Sequence, residues 1–367
     1  MKVIVFSANT SWYLYNFRRS TIQTFIDLGY KVVCFSPADD YSEKIKELGC
    51  IWQPLFMNNK STNPLKDFMI VLQFIRLFSK YRPAYCFNFT VKNNIYGTWA
   101  AKLLRVKAIN NVSGLGTAFI HNNMTSKIVK FLYKTSQPFA STVFCQNPDD
   151  YDTLLQHNLV PQDKLILLPG SGVDIDMFNP SLRKEKTEKF KFLFAGRILK
   201  DKGIIELIEA FNCISQRDFP CSLTLCGFAS SDNISAIGED KILEWERNSN
   251  IKWIGSSDDM PNVYALADCV VLPSYREGMP RSLLEAGAMG LPSITTDVPG
   301  CRNIIKNQYN GYICRVKDVT DLYNSMLTIL KLTDDELLQL SVNSRKHVEQ
   351  YYNESIVINE AVSAVNK

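Results

Sequence analysis

The chain has 367 residues, of which 46% are hydrophobic and 21% are charged, and its formal net charge is +4. This length exceeds one ordinary hydrophobic core and predicts two domains, while the lack of low-complexity tracts excludes a disordered or fibrous protein. The ten cysteines show neither the paired spacing of a zinc site nor that of a small disulfide scaffold. They are therefore expected to be buried thiols in a reducing cytosol.

No targeting or membrane-spanning segment is evident in the sequence. The first residues, MKVIVFSA, lack the long apolar core of a signal peptide, and the most apolar segment, residues 68–78, is too short to cross a bilayer. We therefore expect a cytoplasmic protein.

Residues 68–148 contain no aspartate or glutamate but ten lysines and arginines, interleaved with aromatic residues. Such a stretch predicts attraction to an anionic surface. Two segments in it, FIRLFSKYR and KIVKFLYK, resemble basic amphipathic helices that lie on a membrane, although each is also compatible with a helix that buries one face in the core. The missing acids favour peripheral membrane contact, and no nucleic-acid-binding motif is present, so nucleic acid is not expected as a partner.

Short β-branched runs alternate with helical patterns along the whole chain. Strands are predicted at residues 3–7, 31–36, 51–55, 84–88, 107–112, 142–146, 165–168, 190–195, 222–226, 251–254, 269–272 and 293–296. Nearly continuous apolar strands separated by helices indicate parallel sheets covered on both faces. A charged, non-periodic stretch at 181–189 predicts a linker between two doubly wound α/β domains, with ligands expected beyond the carboxyl ends of the strands and in the cleft between the domains.

The loop after the first strand of the second half, FAGRILKDKG at 194–203, carries two cations. Arg197 and Lys202 stand just before a helix predicted to begin near Gly203. Two cations beside a helix N-terminus form a site for an anion such as a diphosphate. Basic residues in loops are common, so this segment alone leaves an ordinary solvated loop as the alternative.

A second loop, PSYREGMPRSLLEA at 273–286, follows the strand CVVL and leads into a helix. Glu277 lies in the loop and Glu285 about one turn into the helix. Backbone N–H groups of Gly278 and of residues 281–283 are expected to be unpaired there and able to donate to a phosphate or sugar hydroxyl. For Glu277 alone, a helix-capping role is the better interpretation.

Two further turns are weaker signals. Ile254 begins IGSSD at a strand end, where backbone groups can hold the edge of a base, and VPGCR at 298–302 forms a tight turn after another strand.

These blocks together resemble glycosyltransferase family 4, whose members are retaining enzymes of the GT-B fold. The resemblance rests on Glu277 and Glu285, separated by seven residues within PSYREGMPRSLLEAGAMGLPSITTDVPG, and on GR-x4-KG at 196–203. It covers essentially the whole chain and is stronger in the second half. It implies two Rossmann-like domains facing a cleft, with a first domain at 1–180, a linker at 181–189, a second domain at 190–346 and a helix at 347–367 that crosses back to the first.

The resemblance also implies roles for the site residues. Glu277 would hold hydroxyls of the donor sugar, Glu285 would hold the ribose, and Arg197 and Lys202 would neutralise the donor diphosphate in place of a metal ion. The implied catalytic residues are Arg197, Lys202 and Glu277, and the implied donor-binding residues are Glu285, Ile254, Gly278, Met279, Arg281, Ser282 and Leu283.

Three segments of the first half, SANTSWYLYNFRRS, NKSTNP and NNVSGLGTAF, resemble a subgroup that extends sugars on polyprenyl diphosphate carriers, such as bacterial N-acetylgalactosaminyltransferases acting on undecaprenyl-diphosphate-linked saccharides. They imply acceptor-side residues Asn9, Thr10, Arg18, Lys60, Gly114 and Gly116. A membrane-anchored, diphosphate-bearing acceptor also accounts for the basic and aromatic stretch.

The implied activity is that of a retaining, metal-independent hexosyltransferase that needs no cofactor. It would move a hexose or N-acetylhexosamine, with GalNAc or GlcNAc favoured, from a UDP-sugar to a polyprenyl-diphosphate-linked saccharide in O-antigen, capsule or glycan assembly. Its place would be the anionic cytoplasmic face of the inner membrane.

Three departures from the family pattern bear on these roles. Asn9, Thr10 and Ser11 stand where many members have a glycine pair. Some members carry a histidine after the fifth strand, and the nearest one here is His121, a candidate base that is more often structural. Asn303 stands where the family often has glutamate.

Other functions fit parts of the sequence. Asp174 and Asp176 form the D-x-D pattern of metal-dependent GT-A transferases, but they lie in GVDIDMF, where family 4 members commonly carry GVD followed by Phe. A dehydrogenase is disfavoured because no G-x-G-x-x-G follows the first strand. An epimerase-like or non-transferring UDP-sugar-binding protein of the GT-B fold stays open as the alternative.

Overall fold

The computed structural model describes residues 1–57, 63–115, 124–184, 187–217, 219–229 and 235–366. The chain divides into two compact units. Unit 1 comprises Met1–Ser171 together with Ser355–Lys367, and unit 2 comprises Gly172–Glu354.

Strands and helices alternate along the described chain. The strands are β1 (Val3–Ser7), β2 (Lys31–Ser36), β3 (Ile51–Pro54), β4 (Tyr85–Phe89), β5 (Lys107–Val112), β6 (Thr142–Cys145), β7 (Leu165–Leu167), β8 (Phe190–Ala195), β9 (Cys221–Cys226), β10 (Ile251–Trp253), β11 (Cys269–Leu272), β12 (Ser293–Thr296) and β13 (Gly311–Cys314). The α-helices are α1 (Ser11–Asp27), α2 (Ser42–Glu47), α3 (Pro64–Tyr81), α4 (Thr98–Leu104), α5 (Met124–Ser136), α6 (Pro148–Gln156), α7 (Ile204–Ser215), α8 (Glu239–Trp245), α9 (Met260–Ala265), α10 (Arg281–Ala288), α11 (Cys301–Ile304), α12 (Val319–Leu330), α13 (Asp334–Tyr351) and α14 (Glu354–Asn366). A π-helical turn covers Asn93–Gly97, and 3₁₀ turns cover Gln137–Phe139, Gln162–Lys164, Pro180–Leu182 and Lys200–Lys202.

Unit 1 is built on a parallel sheet with the strand order β3-β2-β1-β4-β5-β6-β7. Successive residues of a strand point to opposite faces, so Ile4 and Phe6 of β1 join one buried cluster and Val5 joins another. Helices cover both faces, which is why the strands are apolar on both sides. This confirms the doubly wound parallel architecture predicted for the first half.

Several helices of unit 1 begin at residues that the sequence marks as caps. Thr10 accepts from the N–H of Tyr13 at 3.0 Å at the start of α1, and Asn63 accepts from the N–H of Leu65 at 2.9 Å at the start of α3, where Pro64 takes the first helical position. These side chains satisfy donors that a helix start leaves unpaired.

Unit 2 repeats the architecture with the order β10-β9-β8-β11-β12-β13, in which every described pairing is parallel. The prediction missed β13, a strand of four residues at the edge of the sheet that begins with a glycine. A short strand of this composition lacks the apolar periodicity on which the other predictions relied.

The limits of the two units differ from the boundaries expected from sequence. Residues 172–189 lie in unit 2, and α13 continues past residue 346 to Tyr351 within the same unit. The final helix α14 packs in unit 1, where Val357, Ala361 and Ala364 join the cluster that also contains Ile4 and Phe6.

A helix that spans a membrane must be both long and apolar. Within the described ranges, no helix is at once long enough and apolar enough to cross a bilayer.

Candidate active site

The order of strands in unit 2 reverses direction between β8 and β11, which lie side by side in the sheet. In doubly wound folds the loops that leave two such strands diverge to opposite faces and open a crevice at their carboxyl ends. The two strongest sequence motifs follow these two strands, so the fold brings them to the same place.

The loop after β8 contacts the loop after β11 closely. Gly203 has φ +70°, and a Cβ added there would lie 2.0 Å from the carbonyl oxygen of Pro273. Only glycine combines this backbone conformation with this close approach. The backbone N–H of Tyr275 donates to the Asp201 carbonyl at 2.9 Å, and the Ser274 hydroxyl donates to the same oxygen at 3.3 Å.

Lys202 and Glu277 form an ion pair between the two loops, Nζ to Oε1. Their side chains are mostly buried, with 16% and 13% exposed. Arg197 lies in the first of these loops and is exposed. Its backbone carbonyl accepts from the Leu199 N–H at 2.9 Å, whereas its guanidinium pairs with no described residue. A carboxylate, a paired cation and an unpaired cation therefore lie at the switch point between β8 and β11.

Tyr275 fixes the second loop from its other side. Its hydroxyl donates to Glu206 Oε1 of α7 at 2.5 Å, and Lys317 Nζ lies 4.7 Å from the centre of its ring. Burial and the neighbouring Glu206 carboxylate raise the pKa of Tyr275 well above its ordinary value, so the phenol keeps its proton and acts as a donor. Tyr275 lies within the motif PSYREGMPRSLLEA, but its position in the sequence indicates no role.

Helix α10 starts at Arg281, one of the two positions, Pro280 and Arg281, that the proline indicates, and no side chain caps it, because the residue before the helix is Pro280. The N–H of Ser282 has no partner among the described residues. The expectation of a free N–H at Leu283 is wrong, because this group donates to the Pro280 carbonyl at 3.2 Å. The tight first turn uses that donor internally, and the Leu283 side chain is fully buried in the core.

Glu285 is buried, with 8% of its surface exposed, and both of its oxygens accept hydrogen bonds. Arg281 Nε donates to Oε1 at 2.7 Å, and the Tyr264 hydroxyl donates to Oε2 at 2.9 Å. Burial raises the pKa of the Glu285 carboxyl above its ordinary value, and the charge of Arg281 and the hydrogen bond from Tyr264 act against that rise. Tyr264 belongs to α9, and nothing in its local sequence connects it with Glu285.

The two weaker turns also lie at strand ends. Ile254 follows β10 directly, its side chain is 39% exposed, and its N–H donates to the Leu225 carbonyl at 3.0 Å. Gly300 follows β12 with φ +80°, and a Cβ there would lie 2.4 Å from the Gly278 carbonyl oxygen. Asn303 accepts from the Gly300 N–H at 2.9 Å, so its amide stabilises this turn.

Gly278 and Met279 lie between Glu277 and the start of α10. Both are half-buried, and Met279 packs on the hydrophobic core of unit 2. The roles assigned to the donor-side residues stay predictions.

The D-x-D pattern is part of a turn. Asp174 Oδ1 accepts from the N–H groups of Asp176 at 3.0 Å and Met177 at 2.9 Å. Across the described ranges, no three His, Cys, Asp or Glu side chains come together as metal ligands.

On the acceptor side, the structure describes four of the six residues. Thr10 caps α1, Asn9 precedes it, Arg18 is buried in α1, and Gly114 follows β5 with φ +139°. At the start of α1, Asp39 Oδ2 also accepts a hydrogen bond from the Trp12 N–H at 3.0 Å. Two of the N–H groups at this helix end are therefore paired with side chains of the protein itself. Lys60 and Gly116, together with the candidate base His121, lie outside the described residues.

Comparisons with protein-family models decide the family. Residues 178–347 match the model for glycosyl transferases group 1, and residues 2–147 match the glycosyl transferase 4-like model. Together the two models cover most of the chain, which is therefore a glycosyltransferase. This confirms the family inferred from Glu277, Glu285 and GR-x4-KG.

Solved structures show the fold of this glycosyltransferase to be GT-B. HepE from Anabaena in complex with UDP and glucose is similar with a TM-score of 0.81 and 16% identity over 99% of this chain and 98% of that one. A glycosyltransferase from Rickettsia africae is similar with a TM-score of 0.78 and 17% identity over 99% and 97% of the two chains.

Three named relatives cover most of the glycosyltransferase. The N,N'-diacetylbacillosaminyl-diphospho-undecaprenol α-1,3-N-acetylgalactosaminyltransferase of Campylobacter jejuni is 26% identical over 92% of both chains. The UDP-Gal:α-D-GlcNAc-diphosphoundecaprenol α-1,3-galactosyltransferase of Escherichia coli is 25% identical over 79% of this chain and 76% of that one. The capsular polysaccharide biosynthesis glycosyltransferase CapM of Staphylococcus aureus is 28% identical over 82% and 81%.

Proposed function

We propose that this glycosyltransferase moves a hexose or N-acetylhexosamine from a UDP-sugar to a saccharide carried on a polyprenyl diphosphate. Support comes from the names of two relatives, both of which act on sugars linked to diphospho-undecaprenol. GalNAc and GlcNAc are the favoured donors, and O-antigen, capsule or glycan assembly is the proposed setting.

The observation that carries the donor assignment is the Lys202–Glu277 pair at the switch point of unit 2. A diphosphate needs cations and N–H donors, which Arg197, Lys202 and the uncapped start of α10 supply. A sugar needs hydrogen-bond acceptors for its hydroxyls, which Glu277 supplies. Glu285 offers a carboxylate, held by two donors, for the ribose hydroxyls.

The proposed reaction retains the configuration at the anomeric carbon. The bond between that carbon and the phosphate oxygen breaks first, and its electron pair goes to the departing UDP. Arg197 and Lys202 stabilise the negative charge that builds on the diphosphate, which is the kind of electrostatic catalysis worth about 3–4 kcal/mol per preformed donor. The acceptor hydroxyl attacks the same face of the sugar, and its proton passes to the leaving phosphate oxygen.

We further propose that the transfer requires no metal ion, because these cations provide the charge that a divalent ion supplies in other transferases. Under this mechanism the protein needs neither a nucleophile nor a general base of its own.

We also propose that unit 1 rests on an anionic membrane surface. Helix α5 exposes Met124, Ile128 and Phe131 to 72%, 51% and 65%, a spacing that puts all three on one side of the helix. Lys127 and Lys134 of the same helix are exposed as well. An exposed apolar stripe with flanking lysines is typical of helices that lie in a membrane interface.

Helix α3 adds a second exposed apolar stripe to the same unit. Leu65, Phe68, Met69 and Leu72 are exposed to between 41% and 78%. The opposite side of α3 buries Ile70, Phe74 and Phe78 in the cluster to which Tyr133 of α5 also belongs. The two helices therefore cover the same face of the sheet.

The function is tested by measuring UDP release from a panel of UDP-sugars in EDTA, with and without an undecaprenyl-diphosphate-linked sugar. We expect release from one donor, dependent on the lipid acceptor and insensitive to EDTA. NMR of the product reports the anomeric configuration. If no nucleotide is released from any UDP-sugar or from a GDP-sugar control, the proposal is overturned and an epimerase-like or purely binding role is favoured.

A further inference from the structure

Unit 1 has its own switch point, between β1 and β4, where the order β3-β2-β1-β4-β5-β6-β7 reverses. In unit 2 the corresponding place holds the Lys202–Glu277 pair. By the same rule a ligand of unit 1 is expected at the carboxyl ends of β1 and β4. Arg18 of α1 lies there, because its guanidinium stacks on the ring of Phe89, the last residue of β4, with 4.6 Å from Cζ to the ring centre.

Arg18 is almost completely buried, with 2% of its surface exposed. Its polar contacts within the described chain are few. One terminal nitrogen donates to the Tyr13 hydroxyl at 3.4 Å, and Nε has no hydrogen-bond partner. No carboxylate of a described residue pairs with it.

A second donor without a partner lies just beyond the same strand. Asn93 is fully buried at the start of the π-helical turn, four residues after Phe89. Its Oδ1 accepts from the Thr90 hydroxyl at 3.0 Å, whereas its Nδ2 has no partner among the described residues. The end of β4 is therefore flanked by two unsatisfied donors, one of which is a permanent cation.

Such an arrangement is costly unless something completes it. A guanidinium stays charged at every accessible pH, and a buried charge without a counter-charge destabilises the folded protein strongly. A buried donor without an acceptor adds a further penalty. Both penalties are relieved by an anion with several acceptor oxygens, and the planar fork of a guanidinium fits the two oxygens of a phosphate.

We infer that Arg18, assisted by Asn93, binds a phosphate of the acceptor's diphosphate. This inference rests on the proposed function, in which the acceptor carries a diphosphate. The donor diphosphate has cations of its own, Arg197 and Lys202, in unit 2. Arg18 thereby sets the preference for diphosphate-linked acceptors over the same sugar on an uncharged carrier.

The first test compares Arg18→Gln and Arg18→Lys with Arg19→Gln, a neighbouring change of equal charge at a half-buried position whose side chain packs on Tyr15. Two acceptors are assayed, the undecaprenyl-diphosphate-linked sugar and the same sugar on an uncharged alkyl carrier. For Arg18→Gln we expect the acceptor KM to rise about 10- to 100-fold with the diphosphate acceptor only. The donor KM and the kcat/KM for the alkyl acceptor should stay within about twofold.

Arg18→Lys keeps the positive charge but loses the planar guanidinium that can donate to two phosphate oxygens. We therefore expect its acceptor KM to lie between those of the native protein and Arg18→Gln. Equal losses with both acceptors would make Arg18 a structural residue, and a raised donor KM would assign it to the donor. Either result overturns the inference.

A binding measurement separates this inference from the proposed function. With UDP at saturation to fill the donor site, calorimetry should detect inorganic pyrophosphate binding to the native protein and to Arg19→Gln, but not to Arg18→Gln. If the native protein binds no pyrophosphate, the inference fails even where transfer to the lipid acceptor is observed. If pyrophosphate binds through Arg18 while no UDP-sugar is turned over, the proposed function fails and the anion site stands.

Discussion

Lys202 and Glu277 are 75 residues apart in the chain, and their side chains form an ion pair between the loops that follow β8 and β11. The pair places a cation and a carboxylate side by side at the carboxyl ends of neighbouring strands. Under the proposed mechanism, the cation faces the donor diphosphate and the carboxylate faces the donor sugar.

Lys202→Met should reduce kcat about 100- to 1,000-fold, because it removes one preformed source of positive charge at the leaving group. Lys200→Met is the matched control, since Lys200 lies in the same 3₁₀ turn but is exposed. Initial rates at saturating donor give the comparison, and a Lys200→Met loss as large as that of Lys202→Met would refute a specific role for the pair.

Glu277→Gln and the double variant Lys202→Met/Glu277→Gln extend this test. Because the two side chains are in contact, their effects on kcat should not add. We expect the double variant to lose less than the product of the two single losses. Strict additivity would mean that the residues act independently in the transition state.

Arg197→Ala should lower turnover without lowering stability. The Arg197 side chain is exposed and forms no hydrogen bond or ion pair with a described residue, so its removal should change the free energy of unfolding by less than about 0.5 kcal/mol. Its charge should matter about as much as that of Lys202. The measurement pairs kcat with a melting curve, and unchanged turnover in a folded variant rules out the assigned role.

Tyr264→Phe should weaken binding of the donor. The variant removes the hydrogen bond from the tyrosine hydroxyl to Oε2 of the buried Glu285 carboxylate, a bond to a charged group worth about 1.5–3 kcal/mol. We expect the donor KM to rise about 10-fold, with kcat less affected. Tyr323→Phe in α12 is the control, because the Tyr323 hydroxyl has no partner among the described residues. A normal KM for Tyr264→Phe would argue against Glu285 as a ligand of the donor.

Phe131→Glu should release the protein from anionic vesicles. Its ring is 65% exposed on α5, and burial of such a side chain in a membrane interface contributes about 1.5–3 kcal/mol. Leu338→Glu is the control, since Leu338 is 61% exposed on α13 of unit 2. Co-sedimentation with phosphatidylglycerol vesicles should fall about 10-fold for Phe131→Glu alone. Equal binding of both variants would exclude α5 as the membrane-facing element.

His347 should make stability depend on pH. Burial, followed by the charge of Lys306, lowers the pKa of this imidazole in the folded state. The folded state then binds fewer protons than the unfolded state. The neutral imidazole therefore contributes to the free energy of unfolding in full above about pH 6.5, and this contribution is lost as the pH falls toward the lowered pKa. His347→Gln should therefore narrow the difference in melting temperature between about pH 7.5 and 5.5. The same difference in both proteins would exclude His347 as the source.

Local patterns in the sequence were sufficient for most strands and for the position of the motifs relative to them. Apolar runs such as CVVL and FKFLFA are buried on both faces, so they identify strands of a covered parallel sheet without knowledge of their neighbours. The start of α10 was likewise expected at about Pro280 or Arg281, since a proline favours the first turn of a helix. The strand β13 and the internal use of the Leu283 N–H escaped prediction because neither has a periodic pattern.

The sequence by itself therefore determined the fold class, the family and the loops that carry the donor motifs, because those depend on periodicity, turn residues and spacing along the chain. Only the tertiary structure decided which side chains meet. Lys202 contacts Glu277 because β8 and β11 are neighbours, and Tyr264 contacts Glu285 because α9 packs beside α10. Arg18 lacks a counter-charge because its guanidinium packs on the ring of Phe89 at the end of β4 and not on a carboxylate. Strand order and packing join residues that are distant in sequence, and no local pattern encodes those partners.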